Sequence, residues 1–229
     1  MGAKQSNSEA VASQGQSKVY NPLAGIKLGK KKKEFEKKVV DKDGTIREGS
    51  FVNGKLQGYG RLTYPNKDVY TGELKQGVPD GQGTLVRPVG DHYEGTWKNG
   101  KRHGHGTFTH FSTSEYTGMW KDDKRHGDGV YILKNGDRYE GDMFENIKQG
   151  YGKFIYINGD HYEGHWKHDL RNGKGIYYYA DGGRYEGYWK RDEKHGQGIF
   201  YFKTGERFEG TWRNGKEHGK GTIFYINGT

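Results

Sequence analysis

Between Tyr93 and Lys98 the chain alternates strictly. Tyr93, Gly95 and Trp97 fall on one parity, and Glu94, Thr96 and Lys98 on the other. Alternate residues of a strand share a face, so the pattern predicts a short strand with one aromatic and one polar face. The same alternation returns every 23 residues, with Arg47, Tyr70, Tyr93, Tyr116, Tyr139, Tyr162, Tyr185 and Phe208 in its first position. All five tryptophans, Trp97, Trp120, Trp166, Trp189 and Trp212, share the position four residues later, where Phe51, Leu74 and Met143 complete the column. The Tyr/Trp parity is therefore the expected buried face, a groove lined by these rings. The other parity carries Glu48, Glu94, Glu140, Glu163, Glu186 and Glu209, and a base usually stands four positions after this column, at Lys75, Lys98, Lys121, Lys167, Lys190 and Arg213, which reads as a solvated face with cross-strand ion pairs. Paired carboxylates also suit glycoside hydrolysis; a repeated surface row is the plainer reading.

A turn-rich stretch follows each such strand, as in Asn99-Gly100-Lys101-Arg102-His103-Gly104, and then a second strand, as in Gly106–Phe111. Asn-Gly between alternating runs predicts a hairpin. In the late repeats the second strand is apolar on both parities. Ile132, Ile155, Tyr178, Tyr201 and Phe224 face away from the tryptophans. A strand apolar on both sides needs cover on both sides, so this row is a candidate partner face, including for a second copy of the chain through the late repeats. The final strand offers an open edge for dimerisation or strand addition.

Three glycine columns keep the same period: Gly49 to Gly210, Gly58 to Gly219 and Gly60 to Gly221, eight residues in each. They account for 24 of the 40 glycines, so glycine here is architecture rather than a mark of disorder. Eight hairpins give about sixteen strands in a meander. At roughly 4.8 Å per strand this is an array near 75 Å long. With 30% hydrophobic and 14% aromatic residues in 229, the aromatics must supply most of the buried area.

The chemistry the motifs suggest is mostly excluded. The His of the His-Gly pair is present at His103, His126, His195 and His218, but Gln57, Asp80, Gln149 and Asn172 replace it. No metal ligand or catalytic base tolerates such exchange, so His-Gly reads as a turn signal and no metal or catalytic residue is expected. There is no cysteine, hence no disulfide scaffold or thiolate site. No Gly-Lys is followed by Ser or Thr, so no phosphate-binding loop is expected, and no cofactor.

The pattern Y-x-G-x-W-x-x-G-x-x-H-G-x-G, repeating every 23 residues over 47–229, resembles the MORN (membrane occupation and recognition nexus) repeat. The resemblance implies an all-β, elongated, twisted, single-layer antiparallel sheet. It also implies a non-enzymatic scaffold that brings proteins or membranes together. Chains built almost wholly of such repeats resemble radial-spoke head proteins of motile cilia or cortical and cytoskeletal scaffolds. The pattern is weakest at Arg47, at Leu74 with Pro79 in the expected turn, and at Met143.

Residues 1–46 carry ten lysines and five acids, a large share of the net charge of +9. Residues 1–34 read as a disordered basic tail, 35–46 as a leading half-repeat that caps the array, and 47–229 as the eight repeats. Met1-Gly2 with Ser6 fits an N-myristoylation signal at Gly2. One acyl chain anchors weakly without a second signal; Lys30, Lys31, Lys32 and Lys33 with Lys37 and Lys38 could supply it at an anionic membrane. The same lysines could instead grip an acidic protein such as tubulin. They lack the interleaved aromatics of a nucleic-acid site, so no nucleic-acid partner is expected. The first reading is a cytoplasmic scaffold of a cytoskeletal or ciliary complex, at the cytoskeleton or axoneme. The second is a myristoylated peripheral tether on the cytoplasmic face of a membrane.

Overall fold

The computed structural model describes Phe35 and residues 37–226, which form a single all-β sheet of 17 antiparallel strands. A short β1 (Lys38–Val40) precedes the array. Two strands per repeat follow: β2 (Ile46–Val52) and β3 (Lys55–Thr63), β4 (Val69–Lys75) and β5 (Val78–Val86), β6 (His92–Lys98) and β7 (Lys101–His110), β8 (Ser114–Lys121) and β9 (Lys124–Ile132). The second half repeats the scheme with β10 (Arg138–Phe144) and β11 (Ile147–Ile155), β12 (His161–Lys167) and β13 (Leu170–Tyr178), β14 (Arg184–Lys190) and β15 (Glu193–Tyr201), β16 (Arg207–Arg213) and β17 (Lys216–Phe224). Every strand pairs with its neighbour in sequence, from β1–β2 through β9–β10 to β16–β17. The result is the expected open meander, all-β and antiparallel. Gly2 and Lys30–Lys33 lie outside the described residues.

A single layer has no opposing sheet to bury its face, so the core is built by rings lying on the backbone itself. Tyr70, Tyr93, Tyr116, Tyr139, Tyr162 and Tyr185 are at most 1% exposed. Each ring lies across the facing glycine pair of its own hairpin. A Cβ on Gly106 would sit 2.2 Å from the Tyr93 hydroxyl, and one on Gly95 would sit 2.4 Å from the Gly106 Cα. These two glycine columns are thus fixed by close approach. Each of the six hydroxyls then donates to the carbonyl three residues on, as Tyr162 does to His165 at 3.0 Å. The tryptophans pack edge-on against the tyrosines of their own and the preceding repeat, as Trp189 does against Tyr185 and Tyr162 at 5.3 and 5.4 Å.

The third glycine column has a different cause, and corrects the expectation that His-Gly marks a turn. The hairpin turn is the pair before it, Asn99-Gly100, with φ of 49° and 78°. Two consecutive positive φ values make the tight turn whose twist matches the strands. His103-Gly104 lies inside β7, where the register slips between Gly95 and Trp97. Gly104, at φ 65°, is the residue that absorbs the bulge. Likewise Pro79 lies in β5 opposite Leu74, not in the turn, which is Gln76-Gly77.

The His/Gln/Asp column acquires a role from the same geometry. Gln57 accepts from the Gln76 N–H at 3.1 Å, Asp80 from Asn99 at 3.0 Å and Gln149 from His168 at 3.3 Å. In these copies the residue before the bulge glycine ties down the hairpin turn of the next repeat. A carboxylate or a side-chain amide serves this purpose, whereas in the His103 copy the imidazole Nδ1 has no hydrogen-bond partner. The opposite ends of the hairpins are tied in parallel fashion. Asp91 accepts from Phe111 N–H, Asp137 from Ile157 and Asp160 from Ala180, at 3.1, 2.9 and 2.7 Å.

Candidate functional site

The groove aromatics expected from sequence lie where parity puts them, but at the floor. Trp97, Trp120, Trp166, Trp189 and Trp212 are 4–6% exposed, Phe208 is 7% exposed, and Tyr93, Tyr116, Tyr162 and Tyr185 are fully buried. The rings that reach solvent on this face come from the second strands and the loops after them. Phe154 and Tyr156, Tyr177 and Tyr179, and Phe200 and Phe202 form three successive pairs with centroids 4.6, 4.7 and 4.8 Å apart, the first two tilted and the third edge-on, with Phe154 itself buried. Tyr156 meets Tyr177 at 6.0 Å and Tyr179 meets Phe200 at 5.7 Å, so the pairs join into one strip. Sequence reasoning passed over them, although the parity that places Gly106 and Phe108 on the tryptophan face places these residues there too.

A column of cations rims this strip. The residue opposite each tryptophan-column side chain in the hairpin is Arg102, Arg125, Lys148, Arg171 or Lys194 in five successive repeats. Arg102, Lys148 and Arg171 each stand 4.3 Å from the centroid of a tryptophan in the following repeat, and Lys194 4.7 Å from Trp212. Arg102 and Arg171 also pair with Asp123 and Asp192 at 3.0 Å. Burial lowers the Lys148 amine from its ordinary value, with Asp169 and Asp192 opposing the shift and Arg171 adding to it. Burial takes the Lys194 amine down to about 8, opposed by Glu217 and aided by Arg171. At Pro79 the column offers no cation, and there the groove opens into a depression of about 460 Å³ over Tyr70 and Trp97.

On the opposite face, the row Ile132, Ile155, Tyr178, Tyr201 and Phe224 is interleaved with Arg138, His161, Arg184 and Arg207 from the neighbouring strands. Arg184 stands 3.7 Å from the Tyr201 ring, Arg207 4.1 Å from Phe224, and His161 stacks on Tyr178 at 4.3 Å. Glu186 and Glu209 hold the two guanidinium groups at 2.6 Å. Over Tyr178, Tyr201 and Phe224 the chain's own side chains supply part of the cover that a doubly apolar strand needs, and Phe224 is still 38% exposed. The acids form ion pairs mostly within a strand, two residues apart, rather than across strands as expected; Lys153–Glu163 is a cross-strand case. Lys37, just before β1, and Lys38, in β1, are exposed, Lys38 opposite Glu48 and Lys37 5.2 Å from the Phe51 ring. Among the described residues no three His, Asp or Glu converge on a point where a metal could sit.

The sequence model of the MORN repeat matches eight consecutive segments: 48–69, 70–92, 93–112, 116–138, 139–161, 162–184, 185–207 and 208–229. No curated protein matches the chain. Among solved structures, the chain is similar to the TCP domain of Drosophila melanogaster SAS-4 in complex with a proline-rich motif of Ana2. The identity is 15%, over 82% of this chain and 88% of that one, with a TM-score of 0.36. It is also similar to the TCP10 domain of Danio rerio CPAP in complex with a peptide of Danio rerio STIL, at 15% identity over 81% and 92% of the two chains and a TM-score of 0.39. At this identity and superposition the likeness says nothing of partner or location.

Proposed function

The chain belongs to the MORN repeat family, and from that premise we propose that it is a non-enzymatic scaffold whose tryptophan-face groove docks an extended segment of a protein partner. The observation that carries this reading is the continuous strip Phe154–Tyr156–Tyr177–Tyr179–Phe200–Phe202 under a rim of cations. Equivalent points along the groove are two strands apart, roughly 9.6 Å. An extended chain advances about 9–10 Å in three residues. A segment lying across the strands thus meets the same ring pair and the same cation at every third residue. The large assembly such a scaffold serves is a cytoskeletal or ciliary complex, of which a radial-spoke head is the specific candidate. Repeat content supports that placement.

Two glutamates in the strip, Tyr156→Glu with Tyr179→Glu, test the reading in the source cell. The protein should leave the detergent-resistant cytoskeletal pellet while its thermal unfolding stays near that of the parent. Full retention of this variant would overturn groove docking.

The second reading, a myristoylated tether, rests on Gly2 with Ser6 and on the lysines at 30–33, 37 and 38. On that reading Gly2→Ala alone releases the protein from membranes, and the strip variant does not.

A further inference from the structure

The groove cations obey a rule that one of them breaks. In four successive repeats the backbone N–H of the cation donates to a side-chain oxygen in the hairpin turn of the next repeat. Arg102 donates to Asp123 at 3.1 Å, Arg125 to Asn146 at 2.9 Å, Lys148 to Asp169 at 2.8 Å and Arg171 to Asp192 at 2.8 Å. At Pro79 there is no N–H to satisfy, and the turn residue 21 positions on is Gly100. The donor and its acceptor are missing together. Leu56, which carries no charge, likewise stands before Gly77. Lys194 has both an N–H and an ammonium group, yet the residue 21 positions on is Gly215.

The turn itself is in place. The Gly215 N–H donates to the Lys194 carbonyl at 3.1 Å, as the Asp192 N–H does to the Arg171 carbonyl at 3.0 Å. Gly215 has φ 78°, close to the 69° of Asp192. A Cβ added there would meet nothing within 4 Å. Only the side chain is absent, and the space it would take is open.

The surroundings define what belongs in that space. The Lys194 ammonium stands 4.6 Å from the Phe200 centroid, 4.7 Å from Trp212, 5.2 Å from Tyr185 and 5.5 Å from Tyr179. These rings desolvate the charge without neutralising it. Glu217 opposes the lowering of the amine from nearby, but it is exposed and makes no ion pair with Lys194. A backbone donor, a half-buried ammonium and open space at Gly215 form half of a carboxylate site; the other half is the aspartate that accepts from the backbone N–H in the Lys148 and Arg171 copies and, in the Arg171 copy, also pairs with the guanidinium at 3.0 Å.

We propose that the position beside Lys194 and Gly215 receives the side-chain carboxylate of an aspartate or glutamate in the partner segment that lies on the aromatic strip. This rests on the groove being the docking face. The carboxylate accepts from the Lys194 N–H, faces the ammonium, and fixes the register of the segment against the repeats, because no other groove cation in the array has this position open beside it.

Acetate is the first probe, titrated into the nitrogen-15-labelled full chain with the Lys194 backbone amide followed by NMR. A saturable shift at Lys194 is expected, larger than at the Lys148 and Arg171 amides, whose acceptors are already in place. It should be lost in Gly215→Asp, which supplies the missing side chain, kept in Glu217→Gln, and not produced by acetamide. Equal shifts at the three amides, or an unchanged shift in Gly215→Asp, would overturn the proposal. In the source cell, Gly215→Asp should lower retention of the protein in its assembly by at least about tenfold, the scale of a lost desolvated charge pair. If the strip variant loses the assembly and Gly215→Asp keeps it, the carboxylate position is wrong and groove docking stands. If the strip variant keeps it, groove docking falls first.

Discussion

The indole N–H of Trp189 donates to the carbonyl of Gly175 at 3.2 Å, across to the strand before its own. The bond recurs at Trp97, Trp120, Trp166 and Trp212, each to a glycine 14 residues back. One side chain thus joins two repeats, and the stability of each repeat is lent by its neighbour. Trp189→Phe keeps a ring and loses this bond, and should cost about 1–3 kcal/mol in denaturant unfolding. Gly175→Ala should cost more, because its Cβ would come within 2.2 Å of the Tyr162 hydroxyl. An alanine tolerated at 175 without loss would contradict the packing described.

The His-Gly column predicts a substitution rule. Asp80→Gln should leave stability within about 0.5 kcal/mol, since an acceptor remains for the Asn99 N–H, as Gln57 and Gln149 accept in their copies. Asp80→Leu should lose about 0.5–1.5 kcal/mol. Equal losses in the two variants, measured by thermal unfolding, would show that the column does something other than accept that hydrogen bond.

Stability should depend on alkaline pH in two opposite ways. The Lys194 amine is lowered in the folded state to about 8 from 10.5. The unfolded chain therefore binds more protons between these values, and stability rises with pH across that window. The buried tyrosines act the other way. Desolvation raises Tyr116 from 10.0 to about 12, and raises Tyr70, Tyr93, Tyr139, Tyr162 and Tyr185 as well. Their contribution is complete below pH 10 and is lost as pH rises further. The melting temperature should reach a shallow maximum near pH 9–10 and then fall steeply. Lys194→Met should flatten the rise and leave the fall.

On the opposite face, Arg184→Ala should uncover the Tyr201 ring. About 0.5–1 kcal/mol of stability should go with it, together with increased self-association in ultracentrifugation. Partner retention should not change. Loss of the assembly in this variant would move the docking surface to the row of Ile132, Ile155, Tyr178, Tyr201 and Phe224.

The fold was legible because its signals are repeated. Strict parity fixed the buried face, and the recurring glycines marked where tyrosine rings cross the backbone. What was not legible depends on relations between repeats. Asp80 looks like a turn residue in sequence, and only the sheet brings it to the N–H of Asn99, 19 residues on. The apolar row at Tyr178 and Tyr201 looked uncovered, because nothing local shows that His161 and Arg184 lie over it. The strip at Tyr156 and Tyr179 was readable from parity, but the tryptophans, the larger and more regular signal, drew attention to the floor of the groove instead of its surface.

Tyr178 and Tyr179 are adjacent in sequence and belong to opposite faces, the first stacked on His161 and the second packed against Phe200. A photo-crosslinking amino acid placed at each position in turn, in the source cell, compares the two faces with almost no other change. Groove docking predicts a discrete protein adduct from position 179 and little from 178. An adduct from 178 alone, or adducts to lipid alone, would contradict it.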